Sequence, residues 1–98
     1  MYLIKKTEHF EQWFRKLKDI RAKGLILARI KKAELGNLGN HKFVGKKVAE
    51  MVQDYGPGYR IYFTKIEGVT ILLLLGGDKS SQTKDIKKAQ KLAAEIGG

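Results

Sequence analysis

Arg60 stands two residues after a Gly56-Pro57-Gly58 turn, with Tyr59 beside it and Tyr55 on the far side of the turn. Lys79 follows a long apolar run, at the mouth of the last helix, next to Asp78 and just before Gln82 and Lys84. Lys46 and Lys47 enter the same half of the chain from a basic loop around Gly45. Arginine suits phosphate because its planar fork is always charged and donates bidentately. Tyrosine rings can stack on bases exposed in single-stranded RNA. If the strands carrying these groups are neighbours, they converge on one face and can hold a phosphate backbone. The plainer alternatives are that Tyr55 and Tyr59 pack across strands and that Arg60 is a solvated strand charge.

Other chemistries find little footing. His9 and His41 are the only histidines, far apart in sequence, and without cysteine they make an improbable zinc site. His9 reads as a solvent-side helix residue and His41 as a loop residue. Gly56-Pro57-Gly58 and Gly76-Gly77 lack the spacing of a phosphate-binding loop and read as structural turns. No nucleophilic-serine or dinucleotide signature occurs, so no cofactor is expected. The lack of cysteine fits a reducing compartment. The longest apolar run, Val69 to Leu75, is too short to span a bilayer, and the N-terminus has no secretory pattern. A soluble, cytoplasmic protein with no membrane partner is the expectation.

Charge narrows the partner. Twenty Lys and Arg against ten Asp and Glu leave +10 on 98 residues. Such an excess costs self-repulsion, and a polyanion offsets it. Nucleic acid comes first, then an acidic protein or an anionic membrane surface.

The elements that must position these groups follow from periodicity. The first six residues alternate as a short strand. Thr7 can cap a helix whose apolar stripe is Phe10, Trp13, Phe14 and Leu17, and Asp19 a second helix reaching Leu35, with Gly36 as its stop. His41 to Lys47 reads as irregular. Val48 to Tyr55 alternates, with Val48, Glu50, Val52 and Asp54 on one face. Tyr59 to Thr64 returns as a strand, and Val69 to Leu75 is a strand buried on both faces. Gly76 to Ser81 is a polar turn into a last helix through Ile86, Ala89, Leu92, Ala93 and Ile96. The whole chain, 1–98, is predicted to be one α+β domain, β-α-α-β-β-β-α, with a mostly antiparallel sheet.

Two blocks carry a resemblance: Tyr55-Gly56-Pro57-Gly58-Tyr59-Arg60-Ile61-Tyr62, and Leu74-Leu75-Gly76-Gly77-Asp78-Lys79-Ser80-Ser81-Gln82 followed by Lys84-Asp85-Ile86. Together with the Phe10/Trp13 helix and Leu27-Ala28-Arg29-Ile30, they resemble the addiction-module killer proteins, a branch of the RelE/HigB toxins. The resemblance extends over nearly the whole chain. It implies a RelE-like fold and cleavage of mRNA in the ribosomal A site without a metal. In such toxins the 2′-OH attacks the adjacent phosphate, leaving a 2′,3′-cyclic phosphate and a 5′-OH. It also implies a cognate antitoxin, a helix-turn-helix protein. Residue by residue, Arg60 and Lys79 are implied to stabilise the phosphate in the transition state. Lys46 and Lys47 are implied to bind RNA backbone, and Gln82 and Lys84 lie in the matching segment without an assigned role.

One departure stands out. In Glu50-Met51-Val52-Gln53, Val52 occupies the position where the family carries an arginine. The consequence is a weakened enzyme, a site completed by a neighbouring lysine, or an inactive homologue that only binds RNA, the ribosome or its antitoxin. The proton acceptor is open among Glu50, Asp78, His41 and a lysine.

Overall fold

In the computed structural model, which describes residues 1–97, the chain runs β1 (Leu3–Lys6), α1 (Glu8–Lys16), α2 (Ile20–Glu34), β2 (His41–Gly45), β3 (Val48–Gln53), β4 (Tyr59–Ile66) and β5 (Thr70–Asp78), then a single 3-10 turn (Lys79–Ser81) and α3 (Gln82–Gly97). The five strands lie in the order β1-β5-β4-β3-β2. Only β1 and β5 are parallel; the other pairs are antiparallel. The expected α+β class holds.

Two segments depart from expectation. His41 to Gly45, read as irregular, is an edge strand paired to β3. Its sequence is too basic to signal a strand, and the pairing comes from the hairpin. Gly76 and Gly77, read as part of a turn, belong to β5. Glycine disfavours strands in isolation, but here each lies under a side chain that leaves no room for another. A Cβ on Gly76 would sit 2.1 Å from the Trp13 ring, and one on Gly77 1.9 Å from Asp85 Oδ2.

The helices begin where the caps predict. Thr7 Oγ1 accepts from the Phe10 N–H (3.1 Å) and donates to the Leu74 carbonyl (2.7 Å), so one hydroxyl both caps α1 and ties it to β5. Asp19 Oδ1 accepts from the Ala22 N–H at the start of α2 (3.1 Å). Losing such a cap costs about 1 kcal/mol. After α2 ends, Gly36 takes φ +100°, the left-handed conformation of a helix stop.

Helices cover both faces of the sheet. Phe10 of α1 and Ala22, Ile26 and Ile30 of α2 pack with Met51, Ile61, Phe63, Ile71 and Leu73 on one face. Ala89 and Ala93 of α3 pack with Val48, Tyr62, Leu72, Leu74 and Leu75 on the other. Between β4 and β5 the register shifts, with Phe63 opposite Leu73 but Tyr62 opposite Leu75. The bulge turns Leu74 and Leu75 toward the same side and reverses the alternation beyond them. That is why Gly76 lies under Trp13 on the α1 side and Gly77 under Asp85 on the α3 side.

Arg29 fastens α2 to the strands. Its guanidinium donates to the carbonyls of Leu38 (3.1 Å), Asn40 (2.9 Å) and Val52 and to Gln53 Oε1 (3.4 Å). Partial burial lowers its pKa from the usual arginine value. The bond to Leu38 satisfies a carbonyl that the 37–40 loop leaves without a ladder partner.

Candidate functional site

Two cross-strand rows on the α3 face frame the site. Glu50, Tyr62 and Leu75 lie side by side across β3, β4 and β5, and Val52, Arg60 and Gly77 form the next row. Gly56 and Gly58 bend the β3–β4 connection with positive φ, +57° and +78°. The fold so aims Arg60 across Gly58, whose carbonyl accepts from Arg60 Nη1 at 2.7 Å. Lys79 arrives at the same place from β5: its N–H donates to the Pro57 carbonyl (3.4 Å). A Cβ on Gly58 would lie 3.0 Å from Arg60 Nη1 and 3.7 Å from Lys79 Cβ. Arg60 and Lys79, far apart in sequence, flank one glycine.

Beneath Arg60 is a buried carboxylate. Glu50 has no solvent exposure. Gln82 Nε2, at the start of α3, donates to both of its oxygens (3.1 and 3.2 Å). Lys42 Nζ lies 3.7 Å from Oε1, and Arg60 Nε 4.0 Å from Oε2. Neither Arg60 Nε nor the buried Tyr62 hydroxyl has a hydrogen-bond partner. Burial, with the nearby Glu50 and Asp85 carboxylates adding to it, holds the Tyr62 phenol far above its ordinary pKa. Asp85, over Gly77, accepts from Ser81 Oγ at 2.6 Å. Arg60 is thus held from both sides, by the Gly58 carbonyl and the Glu50 charge, with its side chain 13% exposed.

The other expected residues distribute unevenly. Gln82 joins the site, but as the anchor of Glu50. Lys84 is exposed on α3 and begins a stripe with Lys87, Lys88 and Lys91 at i, i+3, i+4 and i+7, all exposed. Lys46 and Lys47 form the β2–β3 hairpin tip, at the opposite end of β3 from Val52. Five residues at about 3.3 Å each put Lys47 some 16 Å from Val52 along the strand, too far to share a phosphate with Arg60. Tyr59 is buried with the α1/α2 core, its ring edge-on to Trp13 at 6.3 Å, on the opposite side of β4 from Arg60. Tyr55 packs against the same cluster, and its hydroxyl donates to Asp19 (3.0 Å). Both tyrosines are packing residues. Adjacent strand residues point to opposite faces, so Tyr59 and Arg60 cannot line one surface.

Among the open proton acceptors, Asp78 is engaged by the Ser80 N–H (2.9 Å), and His41 lies on the α1/α2 face near Phe63. Glu50 is the one beside Arg60. Lys42 was missed: it shares the face of Glu50, which period-2 alternation would have told had His41–Gly45 been read as a strand. Among the described residues no three His, Cys, Asp or Glu side chains gather as metal ligands, and no helix is long and apolar enough to cross a membrane.

No family model matches the sequence. An uncharacterized protein of Haemophilus influenzae (strain Rd) is 50% identical over 94 residues, covering 96% of this chain and 95% of that protein. The chain belongs to the family of that protein. The isolated Escherichia coli RelE toxin superposes with a TM-score of 0.66 at 16% identity, covering 90% of this chain and 98% of RelE. The intact E. coli RelBE toxin–antitoxin complex contains a chain matching with the same score and identity, over 80% of this chain and 96% of its own. The fold is RelE-like. On this RelE-like frame, Arg60 and Lys79 occupy the turn-side end of the sheet face that α3 partly covers.

Proposed function

We propose that this RelE-like chain is a toxin of the RelE/HigB type, a ribosome-dependent mRNA interferase neutralised by a cognate antitoxin. The observation that carries the reading is that Arg60 and the base of the Lys79 side chain flank Gly58, at the turn-side end of a RelE-like sheet. The reaction is transfer of phosphate within the RNA. The 2′-oxygen bonds to the adjacent phosphorus, the bond to the 5′-oxygen breaks, and the 2′ proton leaves for an acceptor while the departing oxygen takes one up. Arg60 and Lys79 stabilise the charge that builds on the phosphorane, and Arg60, held by the Gly58 carbonyl and by Glu50, needs little reorganisation during the step. Glu50 holds Arg60 in place through its charge and is in turn held by Gln82. Lys84 and the lysines after it on α3 carry RNA backbone away from the cleavage point, and Lys46 and Lys47 hold backbone or ribosomal RNA at a separate end of the sheet.

The partner reading draws on the same likeness: RelE is found in a complex with its antitoxin RelB. A +10 surface binds an acidic segment, and covering Arg60 and Lys79 blocks RNA. The antitoxin is expected to be a helix-turn-helix protein, and the site of action the cytoplasm.

A specific observation favours a second reading, an inactive homologue that binds without cutting. Val52 lies directly opposite Arg60, an apolar side chain in the row where the family has an arginine, and Glu50 is wholly buried. Cleavage of a defined mRNA on programmed ribosomes, with free mRNA as control and product ends mapped, separates the two. A-site cuts ending in a cyclic phosphate support the interferase. Ribosome binding without cuts, converted to cutting by Val52→Arg, supports the inactive homologue.

A further inference from the structure

Arg60 and α3 stand on one face of the sheet; the opposite face carries a groove that α1 and α2 leave open. Phe43, Ala49 and Phe63 stand in one row across β2, β3 and β4. Phe63 is buried at the inner end, while Phe43 at the outer end is 70% exposed. The groove they line holds about 380 Å³.

Its rings are spaced for a flat guest. His41 and Phe43 rise from the same face of β2 two residues apart, so strand rise sets them about 6.6 Å apart. Stacked bases repeat at about 3.4 Å, so one base fills the gap between two rings at that spacing. The His41 ring does not swing freely. Its Nδ1 donates to the Gly39 carbonyl (2.8 Å), and its centroid lies 6.2 Å from that of Phe63.

Its charges are all of one sign. Lys42, Lys47 and Lys65 line the groove with His41, and no Asp or Glu does. The Lys47 carbonyl accepts from the Thr64 hydroxyl (2.7 Å), which fixes the hairpin tip to β4. Lys46 and Lys47 both take positive φ there, 53° and 66°. Hairpin positions of that kind ordinarily go to asparagine and glycine, so two lysines are held against their backbone preference. Lys65 Nζ sits 5.0 Å from the centroid of the Tyr2 ring, a contact that steadies the ammonium. A single exposed phenylalanine needs no explanation. One with a histidine beside it, a buried ring behind it and anchored cations on either side does.

We propose that this groove binds an unpaired base of single-stranded RNA, stacked on Phe43 beside His41, with the flanking phosphates on Lys47 and Lys65. The inference keeps RNA as the partner, as in the reading above, but does not need cleavage, because the groove faces away from Arg60. Stacking accepts any base, and the lysines answer the backbone, so the site grips a strand without reading its sequence. An acidic peptide would satisfy the lysines and leave the rings unused. Duplex RNA keeps its base faces inside its own stack, and a second copy of this chain brings the same +10 charge to a basic rim.

The test titrates the isotope-labelled full chain with a 2′-O-methyl adenosine hexanucleotide, which 2′-oxygen attack cannot cut. Chemical shifts are followed at the Ala49 methyl and the Phe43 ring, and affinity is read from the Ala49 methyl alone. The proposal predicts upfield ring-current shifts at both, weaker binding by about tenfold or more in Phe43→Ala, and retained binding in Phe43→Trp. An abasic strand of the same length should shift neither signal. Equal shifts from the abasic strand or from the duplex would overturn the proposal, as would shifts confined to Arg60, Lys79 and α3. So would a glutamate peptide that occupies the groove more tightly than the RNA does. Ribosomal cleavage is assayed separately: its absence with the Ala49 and Phe43 shifts intact removes the nuclease reading alone.

Discussion

Gln82 Nε2 donates to both carboxylate oxygens of Glu50, at 3.1 and 3.2 Å, joining the first turn of α3 to the middle of β3. A carboxylate without solvent needs its charge matched by donors, and Gln82 supplies the closest ones while Lys42 and Arg60 stand farther off. The contact makes α3 part of the site and not merely its cover.

Gln82→Ala therefore leaves a buried carboxylate short of its donors. Hydrogen bonds to charged groups contribute about 1.5–3 kcal/mol, so the urea midpoint should fall by that equivalent. Gln82→Glu should cost more, because it sets a second negative charge against Glu50. A denaturation midpoint unchanged in Gln82→Ala would show that the bond contributes nothing.

The Tyr62 hydroxyl gives a pH signature. Its folded pKa lies well above the unfolded value of about 10, so above that pH the unfolded chain loses a proton that the native chain retains. Stability from this group is complete below pH 10 and declines as pH rises beyond it, by at most about 1.4 kcal/mol per pH unit. Tyr62→Phe removes a hydroxyl that has no partner. It should unfold at an equal or higher denaturant concentration at neutral pH and show a shallower loss between pH 10 and 11 than the parent chain. Identical alkaline slopes would contradict this.

Gly76→Ala should destabilise by about 1–3 kcal/mol, since its Cβ would enter the Trp13 ring. The added Trp13→Leu change should recover part of that loss while Trp13→Leu alone costs stability, a coupling that a thermal-melt double-mutant cycle measures.

Binding to a single-stranded RNA should weaken steeply with salt. Each α3 lysine that meets a phosphate contributes about 0.7 to the slope of log affinity against log salt. Replacing Lys84, Lys87, Lys88 and Lys91 with glutamine should flatten that slope by up to about 3, with little change in stability because all four are exposed. An unaltered slope would move RNA off α3.

What was legible in the sequence was what local chemistry decides. Thr7 and Asp19 cap the helices they were expected to cap, Gly36 stops α2, and Gly56 and Gly58 bend the turn that aims Arg60. Alternation placed Glu50 and Val52 on one face. The remainder depended on partners distant in the chain. His41–Gly45 becomes a strand only against β3, and Gly76-Gly77 stays in β5 because Trp13 and Asp85 lie on it. The bulge at Leu74, invisible in an unbroken apolar run, decides which glycine meets which side chain. Tyr59 follows from the two-residue period alone: next to Arg60 on β4, it faces the α1/α2 core while Arg60 faces α3.

The most direct measurement is cleavage of mRNA on programmed ribosomes by the parent chain, Arg60→Ala and Lys79→Ala, with product ends mapped. The account predicts A-site cuts ending in a 2′,3′-cyclic phosphate, slowed about 10²–10³-fold by Arg60→Ala and strongly slowed by Lys79→Ala. Cuts that persist at the parent rate in both variants, or products with 3′-OH ends, would contradict it.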